Sequence, residues 1–151
     1  MPPILKYNFL RLPAIPTPAF PKRYSFLMPA IPIRLINRED PERFFNMKAT
    51  IDSGADASIF PAAAAEAIGL VVINEKTQEI QGINGSRIRT YLHDIILDVG
   101  GWKFATFALF TPDNTVFPVL GRDGFFSLFE VKIILTKELI ELKPIVEPIK
   151  S

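Results

Sequence analysis

The sequence predicts an all-β domain. Short apolar runs of β type follow one another closely, glycine and polar turn signals separate them, and few windows have the composition of a helix. Such spacing belongs to a mostly antiparallel sheet, closed on itself or sandwiched, with one or two short helices. A chain of 151 residues with 48% hydrophobic content and 13 Phe has the apolar material for one core, so one domain is expected.

Eight of the 14 prolines fall within the first 32 residues, a density hostile to helix and to sheet interior because each proline removes a backbone donor. Residues 1 to 24 are therefore read as an extended arm, and its apolar Ile4, Leu5, Phe9, Leu10, Ile15 and Phe20 imply that it packs on something. Residues 25 to 36 and 43 to 51 are β-type runs around the polar stretch 37 to 42, a hairpin that delivers Asp52 at a strand end. Pro61 followed by an alanine-rich run to Ala67 predicts a helix opened by proline and closed by Gly69. Further strands are expected at 70 to 73, 76 to 81, 86 to 90, 92 to 99 and 102 to 110, with turns at Gly82 to Gly85 and at Gly100, Gly101. After a loop over 111 to 117, residues 118 to 124 read as a buried strand running into a turn. A short helix at 124 to 128 and strands at 129 to 136 and 138 to 142 follow. The last residues, 144 to 151, form a tail.

With 17 Lys+Arg against 16 Asp+Glu there is no excess field to hold nucleic acid or an anionic membrane. The apolar N-terminal stretch is interrupted too often by proline and charge for a secretory or spanning segment. The chain has no cysteine, which excludes disulfides, thiol catalysis and the usual zinc sites. A soluble, cytoplasmic protein is the resulting expectation.

The most informative segment is Ala49, Thr50, Ile51, Asp52, Ser53, Gly54, Ala55, Asp56. An aspartate that ends an apolar strand and is followed by a small hydroxyl residue and glycine sits in a tight loop whose backbone can hydrogen-bond its carboxylate. The segment resembles the aspartic peptidase signature of the retropepsins, an apolar pair followed by Asp-Thr/Ser-Gly-Ala. Phe117, Pro118, Val119, Leu120, Gly121, Arg122, Asp123 resembles the second hallmark of that family, an apolar pair before Gly-Arg-Asp or Gly-Arg-Asn. Between them Gln81, Gly82, Ile83, Asn84, Gly85, Ser86 stands where retropepsins carry a glycine-rich flap tip, with Asn84 where relatives often have Gly.

The resemblance covers about residues 25 to 140. It implies a retropepsin-like acid-protease fold over residues 25 to 143, with Asp52, Ser53 and Gly54 as catalytic residues. The Asp52 carboxylate does the chemistry, the Ser53 hydroxyl braces two active-site loops across a dimer axis, and Gly54 leaves room for substrate backbone. Ala55, Asp56, Gly82, Ile83, Asn84, Gly85 and Val119 would bind substrate, and Arg122 would form a buried structural ion pair with Asp56.

Dimerisation also follows from the chemistry. Hydrolysis by an activated water needs two carboxylates about 3 Å apart sharing a proton, and the chain has one Asp-Ser-Gly. Asp98 before Gly100 and Gly101 reads as an ordinary turn residue, Asp123 follows a Gly-Arg that has its own structural explanation, and Asp94 and Asp113 have no loop chemistry around them. The expectation is a homodimeric aspartic endopeptidase acting on peptide or protein substrates without metal or cofactor. The alternatives are a catalytically weak or inactive peptide-binding or dimerisation domain of the same fold, and a purely structural β-domain. His93, the single histidine, cannot assemble a metal cluster alone and reads as a hydrogen-bonded strand residue. Trp102 reads as hairpin packing, and Arg87 and Arg89 as the solvated face of a strand.

Overall fold

Alternation sets the first half of the sheet. In the computed structural model, which describes residues 3–82 and 84–150, strand β4 (Ala30–Ile36) buries Ile31, Ile33 and Leu35 and turns Pro32 and Arg34 outward. It pairs antiparallel along its length with β5 (Phe44–Ile51). Asn37 closes this hairpin: its Oδ1 accepts from the amides of Glu39 (2.8 Å) and Asp40 (3.1 Å), while its Nδ2 donates to the Ile68 carbonyl (2.7 Å). A buried amide is tolerated there because both its ends are satisfied.

β6 (Ile59–Pro61) runs into the helix α1 (Ala62–Ala67), which buries Ala62, Ala64 and Ala65. Gly69, at φ 81°, ends it as expected: its amide bonds the Glu66 carbonyl and that of Leu70 bonds Ala65, both at 2.9 Å. β7 (Thr77–Gln81), β8 (Arg87–Val99) and β9 (Trp102–Thr111) follow as an antiparallel meander. The two-residue β10 (Val119–Leu120) inserts between β5, to which it is parallel, and β6. The sheet order is β4-β5-β10-β6-β9-β8-β7, and β4 also pairs with β8, so the sheet returns on itself with β7 left outside the ring. The expected all-β class is the one observed, mostly antiparallel, with parallel strand pairs at β10–β5 and β6–β9.

A second sheet has the order β1-β12-β11, from β1 (Leu5–Asn8), β11 (Phe129–Ile134) and β12 (Leu139–Pro144). Its Ile140 and Leu142 are fully buried, and Phe129 packs edge-on to Phe104 (5.0 Å) and against Phe125 (5.1 Å), joining this sheet to the first. β2 (Leu10–Pro13) and β3 (Ser25–Met28) make a separate two-stranded sheet.

Several local expectations need correction. The run 25 to 36 is two strands broken at Pro29, and residues 86 to 99 give one long strand where two were expected. Residues 70 to 73 form no strand: Val72 is buried but Val71 and Ile73 face water, and among the described residues no strand pairs with them. Residues 124 to 128 are turns. The amides of Phe126 and Ser127 reach back five residues, to Gly121 (3.2 Å) and Arg122 (3.2 Å), and Gly124 has φ 95°, so no helical register forms. The proline-rich arm packs only in part: it forms strands whose Leu5, Tyr7 and Phe9 lie against the core, while Ile4, Ile15 and Phe20, expected to pack, are exposed. Residues 145 to 149 run along their own chain, Ile145 bonding Leu128 (2.9 Å) and Ile149 bonding Lys103 (2.7 Å) through backbone amides. Among the described residues no helix is long and apolar enough to cross a membrane.

Candidate functional site

Asp52 stands at the end of β5, held on both flanks. Its own amide donates to the Leu120 carbonyl (3.0 Å), that of Thr50 to Pro118 (3.0 Å), and that of Ile51, on the other side, to Pro29 (2.8 Å). Ile51 and Leu120 are buried beneath it, so a strand end packed on both sides presents an exposed carboxylate. Oδ1 of that carboxylate accepts from the Gly54 amide at 2.8 Å. A Cβ on residue 54 would lie 3.1 Å from the same oxygen, which is why a glycine lets the loop close so tightly.

The segment 121–123 buttresses the loop from behind. The Arg122 amide donates to Ala55 (2.9 Å) and that of Asp123 to Asp56 (2.8 Å), while Asp123 forms a parallel bridge with Ala57. Buried Gly121 donates its amide to the Ser58 hydroxyl oxygen (3.1 Å). Its α-carbon faces the Ala57 backbone so closely that a Cβ would sit 2.3 Å from the Ala57 oxygen. Arg122 spans the two segments, its Nη2 on the Asp56 carboxylate and its Nη1 on the Ser53 carbonyl (2.9 Å). The pairing of Asp56 with Arg122 is thus present, but its expected burial is not. The two side chains are 82% and 52% exposed in the single chain, and both border the groove beside the loop they connect.

The β7–β8 hairpin ends in a turn where Gly82 donates to the Ser86 carbonyl (2.8 Å) and Gly85, at φ 80°, donates to Gly82 (3.0 Å). Asn84 Oδ1 accepts from the Ser86 amide (3.1 Å) and hydroxyl (2.6 Å), so the asparagine side chain knits the turn together. Ile83, expected to contact substrate, lies outside the described residues.

Between this hairpin and the Asp52 loop lies a groove of about 560 Å³, with Ile80, Leu92, Phe107 and Leu109 as its apolar lining and Asp56 and Lys76 among its polar groups. Of the residues expected to bind substrate, Asp56 lines this groove. Ala55, Gly82, Asn84, Gly85 and Val119 do not, and Val119 is half-buried between β5 and β6 instead. Ile80 and Leu92 were missed by the sequence reading. The alternation of Ile80 and Ile88 along the hairpin was the one signal pointing inward from it.

Four further aspartates have side-chain partners elsewhere, while Asp123 is exposed and is placed by its backbone, bridged to Ala57. Asp40 faces Arg43 (3.3 Å) and Asp94 faces Arg38 (3.5 Å). Asp98 accepts the Gly101 amide (2.9 Å), the turn role expected of it. Asp113 takes the Thr115 hydroxyl (2.6 Å) and amide (2.9 Å), which hold its carboxyl below the usual carboxylate range, the hydroxyl most. His93 puts Nε2 2.7 Å from the Val72 carbonyl and its ring edge-on to Phe110 (5.7 Å). Nε2 is thus the protonated nitrogen, donating to that carbonyl. Arg87 and Arg89 both face Glu79 on an exposed strand face (3.6 and 3.7 Å).

Neither a family model nor a curated protein matches the sequence. Among solved structures, EIAV protease complexed with the inhibitor HBY-793 superposes on 63% of this chain and 82% of its own, with 19% sequence identity and a TM-score of 0.49.

Proposed function

We propose that this chain is one half of a homodimeric aspartic endopeptidase of the retropepsin type, with Asp52 from each copy supplying one carboxylate of a shared pair. The observation that carries the reading is the Asp52 loop: an exposed carboxylate fixed by the Gly54 amide at the end of a strand clamped on both sides. Elsewhere Asp40, Asp56 and Asp94 face guanidinium groups, Asp98 and Asp113 cap their own turns, and Asp123 is tied by its backbone to the segment 56–58 behind the loop. A partner acid for Asp52 therefore comes from a second copy.

In the reaction one carboxylate takes a proton from water as the oxygen attacks the scissile carbonyl carbon, and the other, protonated, hydrogen-bonds the carbonyl oxygen. Collapse of the tetrahedral intermediate breaks the C–N bond as the amine leaves with a proton. Two carboxylates this close titrate as a coupled pair. Ser53 braces the loops across the axis and Gly54 gives the substrate backbone room. The substrate lies extended beneath the β7–β8 hairpin as a flap, the turn at Gly82, Ile83, Asn84 and Gly85 meeting its backbone and alternate side chains entering the groove beside Asp56. Ile80 and Leu92 give that groove an apolar floor, so apolar side chains near the cleaved bond are favoured.

The test is incubation of wild type and Asp52→Asn with a peptide library across acidic to near-neutral conditions, from about pH 3 to 8. Cleavage by the wild type alone, inhibited by a statine-type mimic whose hydroxyl binds between two carboxylates, supports the enzyme. A dimer that leaves every peptide uncut at every pH is instead a binding or dimerisation domain of this fold.

A further inference from the structure

The hairpin β2–β3 joins neither larger sheet. Its register sets Leu10 opposite Met28 and Leu12 opposite Phe26, and because side chains alternate along a strand these four share one face. All four are half-buried in the single chain, with the Arg23 guanidinium 5.9 Å from the centre of the Phe26 ring, and none belongs to the core or to the apolar residues packed against it. An isolated two-stranded hairpin is marginal in water, so an apolar face of this kind calls for cover. The edge is open as well. Ala14 donates to the Tyr24 carbonyl (2.9 Å), and with Pro13 opposite Ser25 the ladder turns the N–H and C=O groups of Ser25 and Leu27 away from β2.

What covers this hairpin follows from where it is anchored. β3 passes into Pro29, whose carbonyl accepts the Ile51 amide (2.8 Å), one residue before Asp52. The hairpin is thus fixed to the strand that presents the carboxylate, beside the one place where the proposed reaction requires another copy of the chain.

We infer that β2–β3 is the seam between two copies, with Leu10, Leu12, Phe26 and Met28 and the open edge of β3 meeting the same elements of the partner about a two-fold axis. The inference rests on the reading of Asp52 as one half of a shared pair. It assigns the association to an internal hairpin, because β1, β12 and β11 are already paired with each other inside one chain.

Sedimentation of the wild type, Leu12→Asp/Phe26→Asp and the control Ile133→Asp, an exposed position on β11, tests it. The expected result is a dimeric wild type and control, and a folded double variant whose dimer is weakened at least about tenfold. A folded double variant with wild-type dimer affinity, or a wild type that is monomeric at every concentration, overturns the inference. Should the double variant not fold, Met28→Cys serves instead, since its thiol is the single one in the chain. Its maleimide labelling is expected to slow as protein concentration rises, while labelling of Ile133→Cys does not change; a rate independent of concentration at residue 28 overturns the seam. A protected thiol at position 28 in a dimer that cuts no peptide keeps the seam and sinks the peptidase. Cleavage by a double variant with unaltered dimerisation does the reverse.

Discussion

Arg122 meets the carboxylate of Asp56 beside the Asp52 loop, with both side chains exposed in the single chain. An exposed pair of this kind contributes about 0–1 kcal/mol, far less than the roughly 3–5 kcal/mol at stake when one partner of a buried pair is removed. The second bond, from Nη1 to the Ser53 carbonyl, adds about 1 kcal/mol. Arg122→Ala is therefore expected to lower Tm by a few degrees in scanning calorimetry while the chain still folds, and to weaken dimerisation together with it. An Arg122→Ala protein with wild-type Tm and wild-type dimer affinity removes the clamp from consideration.

Gly121 is the stricter requirement. Its neighbours are backbone atoms of Ala57 and Ala55, which cannot step aside as a side-chain tip can. Gly121→Ala must part the segments behind Asp52, at a cost of about 1–3 kcal/mol or more for overpacking. Chemical denaturation measures this, and a loss larger than that of Arg122→Ala is the expected order. A smaller loss means the two segments are free to separate.

Asp52→Asn should leave stability within about 0.5 kcal/mol of wild type, since the side chain is exposed and accepts one local bond. Cleavage should fall by about a thousandfold or more, as it does when a group acting in a catalytic unit is removed. Thermal melts and peptide cleavage on one preparation separate the two effects; retained cleavage ends the assignment.

Tyr7 couples the first strand to alkaline pH. Its hydroxyl is half-buried, and burial, then the nearby Asp98 carboxylate, push its pKa above the ordinary tyrosine value. The folded chain holds this proton where the unfolded chain has lost it. Stability from Tyr7 is thus fully present below about pH 10, the unfolded value, and declines as pH rises from there through the folded pKa. Tyr7→Phe should flatten the dependence of Tm on pH above about 10, and identical slopes for the two proteins would remove Tyr7 as its cause.

Gly100 receives the same strand. A Cβ there would meet the Tyr7 hydroxyl at 2.8 Å and Leu5 Cδ2 at 3.0 Å, at a residue with φ 60°. Gly100→Ala is expected to speed amide exchange in β1 and to leave β4 and β5 unchanged. Unaltered exchange in β1 means that the arm does not depend on this turn.

The parts of the fold that local chemistry decides were legible in the sequence. Asn37 at a hairpin corner, Pro61 and Gly69 around an alanine run, and the Gly100, Gly101 turn each carry their own conformation. What escaped depended on partners far along the chain. Leu5 and Tyr7 alternate with Lys6 and Asn8 as a strand should, yet the strand exists because β12, at the other end of the chain, lies alongside it. Pro13 is admitted to β2 because it falls at a position whose missing N–H would point away from the ladder. Val71, Val72 and Ile73 alternate equally well and stay irregular for want of a neighbour. At the site, the motif located Asp52 and the Arg122 contact, but it could not set solvent exposure, which is fixed by the side of the loop the guanidinium crosses. The groove residues Ile80 and Leu92 carried no motif at all.

Strand β8 changes its partners along its length, pairing with β7, β9 and β4. Residues 87 to 91 pair with β7 and residues 91 to 99 with β9, so Tyr91 is the one position with a neighbour in both of these strands. Thr90, fully buried, ties its hydroxyl to the Gln78 carbonyl at 2.6 Å beside it. The hairpin is in effect a cantilever clamped at residues 90 and 91, overhanging the ring from that root. Work done on the turn at residues 82 to 85 is felt first at that fulcrum, and the stiffness of two buried side chains there governs how far the overhang can swing.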